Sequence, residues 1–187
     1  MSAFDPSLEA VVCGTASRVA DERGVLTRVI ADGGFALPAF ADAPRQVLHS
    51  GTTRRGTLRG LHAQAAPYSE AKVLVAITGR MFWVVVDLRK ASATFGGWHG
   101  YELSPEVENA LYVPSGFAHG CLSLTDDVNL LILADKDYSP AHGLGIAWDD
   151  PEIAIDWPHD GMKLLISAEH AAFAPFAAFR ERYGGLQ

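Results

Sequence analysis

The sequence predicts an all-β fold of the sandwich or barrel class. Short apolar runs rich in β-branched residues recur along the first two thirds of the chain, and turn-forming residues separate them at regular intervals. Many short strands with regular turn signals are typical of a sandwich or barrel. The predicted strands cover residues 10–13, 25–30, 45–49, 58–64, 71–77, 81–88, 95–103, 110–113, 118–124 and 128–134.

The segments between these strands carry the turn signals. Residues 21–24 read Asp-Glu-Arg-Gly and predict a turn before the second strand. We expect residues 78–80 and 125–127 each to form a hairpin between the strands on either side, and residues 50–55 to form a polar loop.

The C-terminal segment has a different pattern, which predicts two short helices. Ser167 is a suitable N-cap for the first helix. Residues 175–183 predict the second, with Phe176, Phe179 and Tyr183 on one side.

Length and composition predict one globular domain over residues 1–187. The chain is 49% hydrophobic and large enough to bury roughly 70% of its unfolded surface. No apolar run approaches the ~18 residues of a membrane span, and the N-terminus does not read as a signal peptide. Two cysteines are too few for a disulfide framework, so we expect a cytoplasmic protein without a membrane partner.

The charge distribution argues against nucleic acid and leaves room for a local anion site. The net charge is -7, whereas residues 45–90 contain eight basic and two acidic residues. The basic segment is either chance surface charge or a site for a phosphate or pyrophosphate.

Two segments resemble the signature motifs of the cupin superfamily. The first runs from Gly56 to Gly79 and contains His62, Gln64 and Lys72; the second is residues 114–119, which end in a histidine. The resemblance implies a cupin, that is, a double-stranded β-helix or jelly-roll barrel, here with short C-terminal helices. Because residues two apart in a strand share a face, His62 and Gln64 should point the same way.

The residues at the metal-ligand positions of a cupin do not suit a metal ion. A metal-binding cupin has a second histidine and an acid where this chain has Gln64 and Lys72. A lysine ammonium has no lone pair and repels a cation. We therefore expect neither a metal nor another cofactor, which disfavours a metal-dependent cupin dioxygenase.

An ordered set of further motifs runs from about residue 20 to 158. It comprises Asp21-x-Arg23-Gly24, Arg59-Gly60-Leu61-His62-x-Gln64, Lys72, Val86-Asp87-Leu88-Arg89, Leu103-Ser104, Pro114-x-Gly116-Phe117-Ala118-His119-Gly120, Tyr138-Ser139-Pro140, Trp148-Asp149-Asp150-Pro151 and Asp156-Trp157-Pro158. In order and spacing these motifs resemble the nucleotide-sugar 3,5-epimerases of the dTDP-4-dehydrorhamnose type, a family of metal-free cupins.

The resemblance implies an enolate mechanism at a carbon next to a 4-keto group. By resemblance His62 is the base, and Lys72 holds the enolate oxygen or an adjacent hydroxyl. Histidine suits proton abstraction near neutral pH. The remaining positions implied to line the site or contact the nucleotide and its pyrophosphate are Arg23, Gln46, Arg59, His119 and Tyr138.

Two departures from the family pattern concern the catalytic groups. The family's acid is a tyrosine at the position of Ile132, which has no proton to give. The aspartate that orients the family's histidine is replaced by His170, which can fix a tautomer but supplies no charge. A shift of one residue would bring Glu169 to that position instead.

Two other departures concern the nucleotide. The motif after Arg23 has Leu26 where the family has a stacking phenylalanine and Arg28 where it has a glutamate. Leu48 stands where the family has an asparagine two residues after Gln46. These changes indicate altered chemistry, an altered nucleotide, or both.

Three hypotheses follow. The first is an epimerase acting on a nucleotide-linked 4-keto-6-deoxy sugar at C3, C5 or both, with reprotonation by Tyr138, water or another group. The second is a related sugar ketoisomerase, and the third is a non-catalytic nucleotide-sugar-binding cupin. The family implies a homodimer with N-terminal strands exchanged between subunits. Two of these residues also have a purely structural interpretation. His62 could be a core histidine, and Arg59 could pair with an internal carboxylate.

Overall fold

The computed structural model describes residues 10–29 and 44–187. Thirteen strands occur in these residues, and two short helices follow them. The strands are β1 Val12–Gly14, β2 Ser17–Asp21, β3 Gly24–Arg28, β4 Gln46–Thr52, β5 Thr57–Gln64, β6 Lys72–Thr78, β7 Met81–Asp87, β8 Trp98–Leu103, β9 Ala110–Val113, β10 Phe117–Ser123, β11 Val128–Ala134, β12 Gly143–Gly145 and β13 Leu165–Ile166. The helices are α1 Ala168–Ala171 and α2 Phe176–Tyr183.

The strands form two large sheets and one hairpin. One sheet has the order β1-β9-β6-β11-β4, and the other has the order β12-β5-β10-β7-β8 with β13 paired to β5. The separate hairpin is β2-β3, and its turn confirms the predicted turn at residues 21–24. The all-β prediction is therefore confirmed. The predicted strand 25–30 corresponds to β3, while Ile30 lies outside the described residues.

The two predicted hairpins are wrong, because each pair of consecutive strands is divided between the sheets. β6 pairs with β9 and β11, whereas β7 pairs with β8 and β10; β10 and β11 are separated in the same way. The segments at 78–80 and 125–127 are corners that bond to each other: Arg80 N–H donates to Thr125 Oγ1 at 3.0 Å, and Leu124 N–H donates to the Arg80 carbonyl at 2.9 Å. Turn residues mark where a strand ends, but they do not specify its pairing partner.

The predicted loop at residues 50–55 is wrong at its start. Ser50 to Thr52 continue β4 and pair with Leu130, Asn129 and Val128 of β11. The polar side chains of Ser50 and Thr52 favoured a loop, but pairing with β11 keeps this segment in the edge strand of its sheet.

Alternation of side chains along the strands separates the apolar residues into three clusters. Leu74, Met81, Trp83 and Val85 belong to the cluster between the two large sheets. Intervening residues such as Val84 and Val86 face the other side of their sheet. The third cluster includes Val73 and Val75 on the outer side of the first sheet. By the same alternation Lys72 shares the interior face with Leu74.

The C-terminal segment covers the outer side of the second sheet. Ser167 Oγ accepts a bond from His170 N–H at 3.2 Å, which confirms it as the N-cap of α1. α2 buries Phe176 and Phe179 against this sheet, and Tyr183 packs at the same cluster, as predicted. Within residues 10–29 and 44–187, no helix has the length and apolar character needed to cross a membrane.

Candidate active site

A cavity between the two large sheets collects the polar side chains of the barrel interior. We call it the central cavity. Its lining is Ser50, Thr52, Arg59, His62, Lys72, Leu74, Met81, Trp83, His119, Gly120, Cys121, Ser123, Val128, Leu130 and Ile132. The second cavity, called the side cavity, shares His62 and Lys72 with it. That lining is His62, Ala63, Gln64, Glu70, Lys72, Tyr138, Pro140, Gly143, Leu144, Gly145, Glu169, His170 and Phe173.

A β-bulge in β5 brings Arg59 and His62 to the same side of the sheet. Side chains three apart in a regular strand point to opposite faces. Here His62 pairs with His119 while Arg59 pairs with Cys121, so three steps along β5 match two along β10. Gly60 occupies the bulge at φ +96, and a Cβ there would lie 2.5 Å from the His119 carbonyl oxygen. The bulge therefore sets the position of the proposed base.

His62 and His119 meet edge to face, with ring centroids 4.7 Å apart. Burial lowers the pKa of His62 to about 3, together with the electrostatic effects of Lys72, His170 and Arg59. Burial, with Lys72 and His62 nearby, also places the pKa of His119 well below its usual value. Both imidazoles are therefore neutral near pH 7, the form that can accept a proton.

Lys72 lies between Glu70 and His119. Its Nζ is 2.7 Å from Glu70 Oε1 and 3.1 Å from His119 Nε2. Because an ammonium can only donate, His119 Nε2 is the acceptor and its proton resides on Nδ1. The Lys72 side chain is 13% exposed, so its charge lies inside the barrel. Glu70 was not among the predicted site residues; the available signal was an acid two residues before a lysine that begins an apolar strand.

His170 lies beside His62 but is held by the backbone. Its Nδ1 accepts a bond from Gly60 N–H at 3.1 Å, which fixes its neutral tautomer with the proton on Nε2. The His62 and His170 rings are stacked with centroids 6.0 Å apart. Within the described part of the chain, no group hydrogen-bonds His62 Nδ1. Glu169 lines the side cavity next to His170.

Tyr138 lines the side cavity with 65% of its surface exposed. Gln64 stabilises the segment that carries it: Gln64 Oε1 accepts from Ser139 N–H at 2.6 Å, and Nε2 donates to the Asp137 carbonyl at 3.3 Å. The side chain at the second metal-ligand position of a cupin therefore anchors a loop here. Over residues 10–29 and 44–187, no three His, Cys, Asp or Glu residues are grouped closely enough to hold a metal ion.

The three residues predicted to contact the nucleotide are dispersed. Arg59 lines the central cavity, and it forms no ion pair with any carboxylate of the described residues. Gln46 lies in the same row as Lys72, since both pair with Ala134, and it donates to the Lys136 carbonyl at 2.7 Å. Arg23 is on the β2-β3 hairpin, where it forms an ion pair with Asp21, and it lines neither cavity.

Ile132 lies in the wall of the central cavity, with Leu74 opposite it on the neighbouring strand. Leu74, Leu130 and Val128 make the surrounding wall apolar. This part of the cavity offers packing to a substrate, and the groups able to exchange protons lie on the opposite sheet and at the side cavity.

A family model described as dTDP-4-dehydrorhamnose 3,5-epimerase matches residues 5–178. The chain is 44% identical over 110 residues to the dTDP-4-dehydrorhamnose 3,5-epimerase of Shigella flexneri, a match that covers 59% of this chain and 60% of that protein. The matched region is thus about three fifths of that relative's length.

Two solved structures have the same fold. The rmlC epimerase of Mycobacterium tuberculosis superposes with a TM-score of 0.87 at 34% identity, and the match covers 100% of this chain and 94% of that one. ChmJ of Streptomyces bikiniensis, a 3'-monoepimerase solved with dTDP-quinovose, has a TM-score of 0.83 at 32% identity and covers 95% and 88%. These similarities confirm the cupin-like jelly-roll fold.

Proposed function

Because the chain belongs to the dTDP-4-dehydrorhamnose 3,5-epimerase family, we propose that it is an epimerase acting on a nucleotide-linked 4-keto-6-deoxy sugar. One observation supports this most strongly: a neutral histidine, a lysine ammonium and a guanidinium that has no ion pair among the described residues line one cavity inside the barrel. Abstraction of a proton next to a ketone requires a base and a cationic group for the enolate oxygen. The Arg59 guanidinium suits the phosphates.

In the proposed mechanism, His62 removes the proton from the carbon next to the 4-keto group. The electrons of the broken C–H bond form the enolate, and Lys72 stabilises its oxygen. A proton then returns to the opposite face of the same carbon. Tyr138 and water at the side cavity are the candidate donors, since Ile132 supplies none.

The charge of the substrate contributes to the strength of the base. Burial lowers the pKa of His62, and Lys72, His170 and Arg59 lower it further. A pyrophosphate beside Arg59 would offset part of this positive charge, and an opposite charge favours the protonated imidazole. The substrate would thus raise the basicity of the residue that attacks it.

Three alternatives differ from epimerisation at both carbons. Epimerisation at one centre, the activity named for ChmJ, fits a site with fewer proton donors. A ketoisomerase would need no donor on the opposite face. A non-catalytic nucleotide-sugar-binding protein is favoured by Ile132 and by the absence of a hydrogen bond to His62 Nδ1 in the described residues. A homodimer, a cytoplasmic location and a single domain over residues 1–187 stay predictions from the sequence.

Deuterium exchange tests the proposed function. The protein is incubated with dTDP-4-keto-6-deoxyglucose in D₂O, and NMR follows the C3 and C5 protons. We expect exchange at one or both carbons, reduced by a factor on the order of 10²–10⁴ in His62→Gln. His49→Gln is the matched control, because His49 is exposed on β4 outside both cavities.

Other results would change the conclusion. Exchange that persists in His62→Gln would mean that another group is the base. Binding without exchange would favour the binding protein or a different nucleotide. Neither binding nor exchange would mean that the chain keeps the fold of the family without this activity.

A further inference from the structure

The ion pair between Glu70 and Lys72 is buried within the wall of the side cavity. The side chains are 6% and 13% exposed, respectively, and the Oε1–Nζ distance is 2.7 Å. Both residues line the side cavity, and Lys72 also lines the central one. Glu70 therefore contacts the one ammonium that both cavities share among the described residues.

Stability alone does not explain this pair. Removing two charges from water costs free energy that their attraction often fails to recover, so buried ion pairs are frequently no better than apolar residues of the same size. The neighbouring interior positions on β6, Leu74 and Ala76, are apolar and belong to the core cluster between the sheets. A function in the cavity therefore explains this buried charged pair better than a contribution to stability does.

Glu70 is the carboxylate that offsets a group of cations and imidazoles. His119 from β10 accepts a hydrogen bond from Lys72, His62 from β5 lies next to His119, and Arg59 adds a full positive charge. Burial raises the pKa of Glu70 above its usual value, Lys72 offsets part of this rise, and Asp135, which follows β11, adds to it. Without Glu70, the neutral imidazole of His119 would be the only hydrogen-bond partner of the ammonium among the described residues.

The backbone around Glu70 is also held in place. Ala71 N–H donates to Asp135 Oδ1 at 2.8 Å, and Gln64 Nε2 donates to the Tyr68 carbonyl at 3.1 Å. The carboxylate thus approaches Lys72 from a segment that is bonded on both sides. Such a support restricts the long lysine side chain to one direction.

We propose that Glu70 is a positioning residue that keeps the Lys72 ammonium charged and directed at the space beside His62. The role of Lys72 beside His62 rests on the proposed function. The claim that Glu70 keeps Lys72 charged does not depend on that function. Glu70 acts through Lys72 and needs no contact with the substrate.

The first test measures the charge of Lys72 without substrate. The chain has four lysines, so the side-chain NMR signals of lysine-labelled protein can be assigned with Lys72→Met. In Glu70→Gln, which keeps the size and a hydrogen-bonding oxygen, we expect Lys72 to lose its proton at a lower pH than in the wild type. Lys90, Lys136 and Lys163 serve as internal controls. An unchanged titration of Lys72 would overturn the proposal whatever the activity.

The second test measures α-proton exchange across pH. In Glu70→Gln we expect the alkaline limb of the rate profile to move to lower pH, and the maximal rate to fall by about tenfold. Glu70→Asp should recover part of the shift, because it restores the charge. Glu106→Gln removes an equal charge from an exposed residue that lines neither cavity, and its profile should match the wild type.

The outcomes separate the two proposals. If the wild type shows no exchange, the proposed function fails, while the lysine titration still decides the role of Glu70. If the wild type exchanges protons and Glu70→Gln has an unchanged profile, Glu70 does not position Lys72. A fall in rate of equal size in Glu106→Gln would also contradict the proposal, since it would indicate a general effect of charge.

Discussion

At the scale of single residues, burial determines the charge of His119. Only 3% of this residue is exposed, and its pKa lies well below that of a free histidine. Below about pH 6.5 the unfolded chain binds a proton at this position that the native protein does not. The free energy of unfolding therefore falls as the pH is lowered through this range, by up to about 1.4 kcal/mol per pH unit for one such group.

A substitution isolates this contribution. In His119→Asn we expect a shallower loss of stability between pH 6.5 and 5, since the residue that titrates in the unfolded state is gone. Urea unfolding at several pH values measures the slope. His49→Asn, on exposed β4, is the control and should follow the wild type. Equal slopes in His119→Asn and the wild type would show that His119 is protonated in the native state as readily as in the unfolded one.

At the scale of elements, the β5 bulge shows what the sequence could and could not predict. The strand itself was predicted within one residue, from its apolar alternation. The sequence did not predict that the side chains of Arg59 and His62 lie on the same side of the sheet, because this depends on an extra residue in β5 opposite β10. Gly60 was the available signal, since a glycine inside a strand often marks a bulge.

The same distinction explains the two hairpins and the helices. Ser167 and Phe176 lie within short segments whose structure depends on local capping and side-chain spacing, so both helices were predicted. The hairpin predictions failed because sheet membership is a long-range property: β7 pairs with β10 between residues 30 to 42 positions apart, which no local pattern specifies. Glu70 was missed for a similar reason, because its burial depends on the assembled barrel.

The bulge gives a prediction about stability. In Gly60→Ala the new Cβ would lie 2.5 Å from the His119 carbonyl oxygen and 3.2 Å from His62 Nδ1. Left-handed strain and overpacking together should lower the free energy of unfolding by about 2–4 kcal/mol. Urea unfolding measures the loss, and the folded fraction should show slower α-proton exchange.

Gly161→Ala is the matched control for this change. Gly161 has φ +68, but a Cβ there would meet no atom within 4 Å, so only the backbone strain of about 1–2 kcal/mol remains. The difference between the two variants therefore reports the clash in the bulge. If both lose the same stability, the close approach to His119 has no cost of its own.

At the scale of the whole molecule, the β2-β3 hairpin stands apart from the barrel sheets. Val19, Val25 and Leu26 are 62%, 52% and 68% exposed, and an isolated two-stranded hairpin is only marginally stable in water. The same hairpin carries Arg23, which lines neither cavity of its own chain. Exchange of the hairpin between two subunits would cover its apolar side chains and would bring Arg23 to the partner's site.

Mixing two impaired variants tests this arrangement. His62→Ala lacks the base, and Arg23→Ala lacks the guanidinium; each homodimer should show little α-proton exchange. If Arg23 acts in the partner's site, a mixed dimer has one site that contains both residues, so refolding the variants together should restore about a quarter of the wild-type rate. If Arg23 acts in its own chain, every site of the mixed dimer lacks one of the two, and the mixture stays as slow as its components.

Sedimentation of the wild type and of Leu26→Asp provides the companion measurement, because a charge on the exposed apolar face of the hairpin should convert a dimer into a monomer.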